Sequence, residues 1–384
     1  MIKKPLSLQH SNRKMAIPYV IAIFLFSIFS TTVFAQLSSN AVSEEEKQAN
    51  SPVTEDVESA KSSRSAESDA DSIGIQASSS HAISTETFNP QSGMHWMLRM
   101  SQQINILSFE MVYVVTSEAK DTMPYIWRRA EANDGKYIEQ LSVLNGPGFE
   151  QIVYDEKLSI FEPGYPPYSI KGTAVRGPIP NALLRVPQLL EKAYDIIPMG
   201  RNRISGRMSK QIRIVSKDQT RFGYHLWIDE TSGLLLKLNT YNLDGRLIEQ
   251  VQVTQLSISS DVNTFFANFQ ASHMPDISPA LSHHQRALAW DVSFLPEGME
   301  VVKKTLHRIG GNGQLTEYML LSDGVVDVSV YLLNSNNIVE NDVSGMSGPN
   351  AVVVKSDGQI QVTVLGKIPL VTAERIANSI VLVN

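Results

Sequence analysis

Eight histidines, 39 acidic residues and no cysteine set the chemistry open to this 384-residue chain. Without a thiol there is no cysteine nucleophile, no cysteine-ligated metal and no disulfide framework. His283-His284, with His273 or Asp276, has metal-ligand residue types. It falls in a stretch read as a linker, and a metal site needs ligands that structure holds in place. Serine, histidine and aspartate are all present, yet no serine sits on the sharp strand-to-helix turn of a hydrolase nucleophile. Gly310-Gly311-Asn312-Gly313 joins two strand-like runs, so it reads as a hairpin turn and not as a phosphate cradle. Asp229 and Glu230 are adjacent carboxylates, but neighbours on a strand point to opposite faces. The sequence predicts no enzyme, no metal and no cofactor, which turns attention to surfaces that bind.

Those surfaces rest on strands. Tyr224, Leu226 and Ile228 alternate with His225, Trp227 and Asp229, the period of a strand. Glu230-Thr231-Ser232-Gly233 turns the chain and residues 234–238 run back, giving a hairpin. Residues 211–215 and 246–253 add flanking strands, the second after a turn at Leu243-Asp244-Gly245. Upstream, Trp96, Met97, Met100, Ile104 and Leu107 are spaced as one amphipathic helix. Strands follow at 109–115, 126–129, 137–144, 150–154 and 158–161, then a proline-rich loop at 163–168. Residues 181–194 read as short helical pieces broken at Pro187, and 262–270 as a short helix.

The predicted fold class is α+β. Residues 93–262 form a large curved antiparallel sheet with a helical lid, 263–287 a linker, and 288–384 a smaller α+β domain. In the latter, strands are expected at 301–309, 314–321, 325–333, 351–356 and 359–365. A helix over 369–380 opens at Pro369, with Thr372 as its cap and Ile376 and Ile380 on one face. A sheet that curls under helices leaves a cavity between them. Met111, Tyr113, Trp127, Ile152, Tyr154, Phe161, Tyr224, Leu226 and Ile228 are the candidates to line it and to meet acyl chains. From periodicity alone, side chains of this kind read first as an ordinary core.

The first 35 residues stand outside this fold. Lys3, Lys4, Arg13 and Lys14 precede an apolar run over 16–30, and Val33-Phe34-Ala35 supplies a cleavage site, so export with cleavage after Ala35 is expected. The leader holds four of the 33 basic residues and none of the 39 acidic ones, leaving 29 against 39, a mature net charge of −10. A nucleic-acid partner is not expected at that charge. Residues 36–92 carry ten acidic and three basic residues with few large apolar side chains, and read as a disordered acidic spacer.

Several stretches, in order, resemble one family. They are His95-Trp96-Met97-Leu98, Leu144-Asn145-Gly146-Pro147, Phe161-Glu162-Pro163-Gly164, Ile204-Ser205-Gly206-Arg207 and Lys217-Asp218-Gln219-Thr220-Arg221-Phe222-Gly223-Tyr224. Beyond Trp290 come Leu295-Pro296-Glu297-Gly298, Leu321-Ser322-Asp323-Gly324, Val362-Thr363-Val364-Leu365-Gly366 and Thr372-Ala373-Glu374-Arg375. Together they resemble the RseB/MucB family of periplasmic regulators of an envelope-stress sigma factor. The resemblance implies a first domain like the lipoprotein carriers LolA and LolB, and a second domain that helps hold an anti-sigma factor. It implies a periplasmic address and, as partner, the periplasmic domain of an RseA/MucA-like anti-sigma factor, shielded from site-1 proteolysis. Lipopolysaccharide or lipoprotein acyl chains would release the shield. A lipid or lipoprotein carrier is the alternative that the first domain alone implies, and a homodimer stays open. The acidic spacer is a departure from the family pattern.

Overall fold

The computed structural model describes residues 88–118, 120–132, 134–277, 288–309, 314–334, 342–356 and 360–382. The leader, most of the acidic stretch, His283-His284 and the glycine-rich turn at 310–313 lie outside the described residues.

Helix α1 (Gly93–Ile106) starts where the Ser92 hydroxyl accepts from the His95 amide at 3.3 Å, an N-cap. It buries Trp96, Met97, Met100 and Ile104, the face that the 3.6-residue period assigned to the core. Eleven strands follow: β1 (Phe109–Ser117), β2 (Lys120–Glu131), β3 (Tyr137–Val143), β4 (Glu150–Tyr154), β5 (Lys157–Phe161), β6 (Tyr168–Lys171), β7 (Tyr194–Ile204), β8 (Arg207–Ser216), β9 (Gly223–Asp229), β10 (Leu235–Tyr241) and β11 (Leu247–Ile258). Among the described residues they make one antiparallel sheet in the order β6-β5-β4-β3-β2-β1-β11-β10-β9-β8-β7. The chain therefore runs out from β1 to one edge, crosses to the other at β7, and meanders back.

The crossing is the helical segment between β6 and β7. It holds α2 (Asn181–Arg185) and a 3₁₀ turn (Pro187–Lys192), and it lies with α1 over one face of the sheet. Alternation decides what that inner face contains. Phe109, Met111, Tyr113, Trp127, Leu141, Val153, Leu158 and Ile160 point to it from one half, and Ile212, Ile214, Tyr224, Leu226 and Ile228 from the other. Each large side chain taken out of water there contributes roughly 1.5–3 kcal/mol, which makes this the main core.

The outer face has a cover that the sequence did not announce. Residues 263–277, assigned to the linker with a short helix expected over 262–270, continue from α3 (Val262–Phe265), and Val262, Phe266 and Phe269 pack against Ala130, Ile138, Ile152 and Tyr154. Ile277 then bridges Ser169 at the β6 edge. Two strands were also missed here. β6 starts at Tyr168, where the proline-rich stretch ends, and β7 begins at Tyr194, where helix was expected to end. β7 is an exposed edge with Pro198 and a register shift between Pro198 and Arg201, so it shows no clean alternation.

The second unit has strands β12 (Trp290–Val292), β13 (Glu300–Ile309), β14 (Gln314–Ser322), β15 (Asp327–Asn334), β16 (Val343–Ser347), β17 (Asn350–Ser356), β18 (Ile360–Gly366) and β19 (Ile380–Leu382). Six of them form a sheet in the order β13-β14-β15-β18-β17-β16, and β12 pairs with β19. Helix α4 (Leu370–Ala377) packs Ala373 and Ile376, both fully buried, into the core shared with Trp290, Met319, Val330 and Val364. Here β12, β16 and β19 escaped the sequence reading, and Ile380 starts a strand instead of lining the helix. The predicted class holds: a large antiparallel sheet with few helices and a second, smaller sheet.

Candidate functional site

The two units meet at one end of the large sheet, and an arginine with no exposure to solvent lies at the contact. Arg221 sits in the turn before β9, and its Nε lies 2.5 Å from Oδ2 of Asp323, a residue of the β14–β15 turn whose side chain is 2% exposed. The approach is poorly angled for a hydrogen bond, so this contact is an ion pair. Arg221 Nη2 also donates to the Glu297 carbonyl. Asp323 is held from its own side by the Val325 and Val326 amides at 2.9 and 2.8 Å, and the Tyr194 hydroxyl reaches it at 3.5 Å. Removing such charges from water is costly, and pairing plus hydrogen bonds offset that cost.

Around this pair the same turn makes further bridges. Asp218 Oδ2 accepts from the Glu297 amide at 2.8 Å. Burial by itself raises the Asp218 carboxyl, but hydrogen bonds from the Thr220 hydroxyl, the Glu297 and Thr220 amides and the Ser216 hydroxyl bring it down to about 2. The Thr372 hydroxyl donates to the Thr220 carbonyl at 2.9 Å. Thr372 was expected to cap its own helix; Pro369 holds the cap position, and the hydroxyl ties α4 to the first unit instead. Lys367 pairs with Glu249, and the Tyr224 hydroxyl is buried at the junction with no hydrogen-bond partner.

Beside the junction a cleft of about 430 Å³ opens between the lid segment and the second sheet. Arg176, Ile179, Pro180, Leu189 and Lys192 line one wall, and Glu300, Val302, Asp323, Gly324 and Asp327 the other. Close approach explains two glycines. A Cβ on Gly177 would lie 2.8 Å from Leu141 Cδ2, and Gly324, at φ +85°, would put one 2.7 Å from Leu189 Cδ1. The lid is tied down at its middle by a buried carboxylate on the inner face. Glu139, 4% exposed, takes Arg185 Nη2 at 2.6 and 2.8 Å and the Trp127 indole at 2.7 Å.

The nine predicted cavity residues divide. Met111, Tyr113, Trp127, Tyr224, Leu226 and Ile228 share the inner face under α1 and the lid, each 3% exposed or less, in close packing. Ile152 and Tyr154 point the other way. The β4 register turns Gln151 and Val153 inward, leaving those two against residues 262–269 on the outer face. Phe161 also faces outward, in a shallow groove with Phe149, Glu150, Pro163 and Pro167. Gln151 is the reason for the misreading: it is polar yet 2% exposed, with its amide spent on the lid backbone at Arg176.

Sequence reasoning missed the junction itself, although its parts were in view. Arg221, Glu297 and Asp323 each belong to one of the short stretches that carried the family resemblance. Asp229 and Glu230 do separate as expected, Asp229 to Arg207 and Ser232 and Glu230 to Arg201. Among the described residues no group of three or more histidines and acids is placed to hold a metal, and no helix is long and apolar enough to cross a membrane.

Two sheet units joined through buried polar contacts, with a cleft beside the seam, are the architecture of this chain. Comparison with known proteins places that architecture in a family. The family described as MucB/RseB N-terminal domain matches residues 92–276, and MucB/RseB C-terminal domain matches 284–381; the chain belongs to the MucB/RseB family. It is 29% identical over 287 residues to "Sigma-E factor regulatory protein RseB" of Salmonella typhimurium, covering 73% of this chain and 88% of that protein. To "Sigma factor AlgU regulatory protein MucB" of Pseudomonas aeruginosa it is 28% identical over 293 residues, covering 74% and 89%. The crystal structure of MucB in complex with MucA(peri) superposes with a TM-score of 0.60 at 24% identity, over 76% of this chain and all of that one. The Pseudomonas aeruginosa MucA/MucB complex gives 0.60 at 25% identity, over 76% and 99%.

Proposed function

We propose that this chain is a periplasmic negative regulator of an envelope-stress sigma factor. It binds the periplasmic domain of an RseA/MucA-like anti-sigma factor in the cleft between its two units and shields it from site-1 proteolysis. The observation that carries this reading is the seam: both family domains are present, and the buried Arg221–Asp323 pair fixes them around one cleft. The MucB relative is known in complex with MucA, which supports the choice of partner. Export with cleavage after Ala35 delivers the chain to that partner.

Release follows when a lipid displaces the lid. Met111, Tyr113, Trp127, Tyr224, Leu226 and Ile228 lie packed beneath it, so acyl chains of lipopolysaccharide or lipoprotein would have to open the lid to reach them. A carrier of the LolA/LolB type has no use for a second sheet locked onto the first.

Proteolysis tests the reading directly. Saturating mature chain should slow site-1 cutting of the anti-sigma periplasmic domain, and lipopolysaccharide should restore it. Cutting at an unchanged rate would refute the shielding role.

A further inference from the structure

Arg176 lines the cleft with a donor that the fold leaves unused. Its backbone is fixed: the Gln151 side chain accepts from the Arg176 amide at 2.7 Å and donates to its carbonyl at 2.9 Å. The next residue, Gly177, is pressed against Leu141, so the segment has little freedom to withdraw. Yet the Arg176 Nη1 atom is buried and has no hydrogen-bond partner. Burial lowers this guanidinium to about 10, with the Asp327 carboxylate pulling it back upward. A buried charged donor without an acceptor destabilises the free protein, and a ligand that supplies the acceptor removes that cost.

The charges of the cleft narrow the acceptor. Arg176 and Lys192 stand against Glu300, Asp323 and Asp327. Lys192 is engaged by Glu300 at 3.3 Å and Asp323 by Arg221, which leaves Arg176 facing the field of Asp327. With Glu300 and Asp323 already paired, an entering carboxylate or phosphate would still be repelled by Asp327, and a neutral carbonyl oxygen would not. Ile179, Pro180, Ala182, Leu189, Val302 and Val325 supply apolar wall on both sides. We infer that the cleft takes an extended, uncharged and largely apolar stretch of the partner polypeptide, a main-chain carbonyl of which accepts from the Arg176 guanidinium once Nη1 turns out of its buried position. The inference rests on the anti-sigma reading above and adds the residue and the ligand chemistry to it.

The test uses the mature full chain, the periplasmic domain of the anti-sigma factor, and short overlapping peptides tiling that domain, with titration calorimetry as readout. Arg176→Gln should weaken binding by about tenfold, the scale of one hydrogen bond to a charged donor. The loss should be confined to one apolar tile, and an Asp placed in that tile should weaken binding to the unsubstituted chain. Leu189→Asp, at a side chain already 39% exposed, should give a similar loss without threatening the fold, and melting curves report whether either variant is intact. Unchanged affinity in both folded variants overturns the inference and leaves the regulator reading standing. Tightest binding by an acidic tile overturns it in favour of an anion site. Affinity that rises when residues 36–87 are removed assigns the cleft to the chain's own acidic stretch and overturns it too. No binding of the domain by the unsubstituted chain brings down the regulator reading, and this inference with it.

Discussion

Replacing Arg221 by Met should uncouple the two units. The side chain has no exposure, and its loss leaves Asp323, 2% exposed, as a buried carboxylate without a countercharge. Breaking one partner of a buried ion pair costs about 3–5 kcal/mol, most of it the penalty on the orphaned charge. For a body of this size that is a fall in Tm on the order of 10 °C. Asp323→Asn alone should also destabilise, though less, because Arg221 loses its closest carboxylate and keeps only Asp218 at 3.3 Å; the Asn side-chain oxygen still serves the Val325 and Val326 amides. The double variant removes both charges, so it should recover much of the loss, with a coupling of about 3 kcal/mol in the cycle. Differential scanning calorimetry on the full chain reads all four proteins. It should also resolve two transitions in the Arg221 variant where the parent, held by the seam, gives one. Strictly additive effects of the two substitutions would refute the argument that this pair holds the seam.

Two other outcomes follow from neighbouring groups. Asp218 titrates at about 2 when folded and near 3.9 when unfolded, so its stabilising contribution is full above about pH 4 and is lost as pH falls through about 2. The stability gap between the parent and Asp218→Asn, measured by denaturant unfolding, should therefore narrow over that window, and a gap that widens on acidification would contradict the assignment. Glu139→Gln removes the negative charge and one of the two acceptor oxygens that tie Arg185 to the sheet; amide exchange should quicken across residues 176–192 while the β8–β10 core keeps its protection, and unchanged exchange in the lid would show that the Glu139 carboxylate does not hold it.

Reading the chain for period alone succeeded where one face of a strand is apolar and the other polar. β8 and β9 are such strands; both were read as strands, and Tyr224, Leu226 and Ile228 of β9 share one face. It failed where a buried partner is polar. Gln151 faces inward because the lid backbone needs its amide, and that single residue inverted the reading of Ile152 and Tyr154. Edge strands were also hard to see. β6, β7 and β16 each lack a second sheet neighbour, and solvent on the open side relaxes the demand for alternation. The seam was invisible for another reason: Arg221, Glu297 and Asp323 lie 76 and 102 positions apart from the first of them, and nothing in local spacing joins them. Their motifs were legible; their meeting was not.

The lid segment belongs to both halves of the proposed mechanism. Its underside covers the inner face, with Gly177 against Leu141 and Tyr113 and Arg185 on Glu139. Its outer side forms one wall of the cleft, with Leu189 against Gly324 and Lys192 against Gly298. A lipid beneath it and a peptide beside it therefore act on one element, and each can shift the other only by its own preference between the seated and displaced lid. If lipid favours the displaced lid and peptide the seated one, the factor by which lipid weakens peptide binding must equal the factor by which peptide weakens lipid binding. The seam at Arg221 makes this transmission direct. With the second unit held against the turn that opens β9, a lid displaced as proposed would change the width of the cleft.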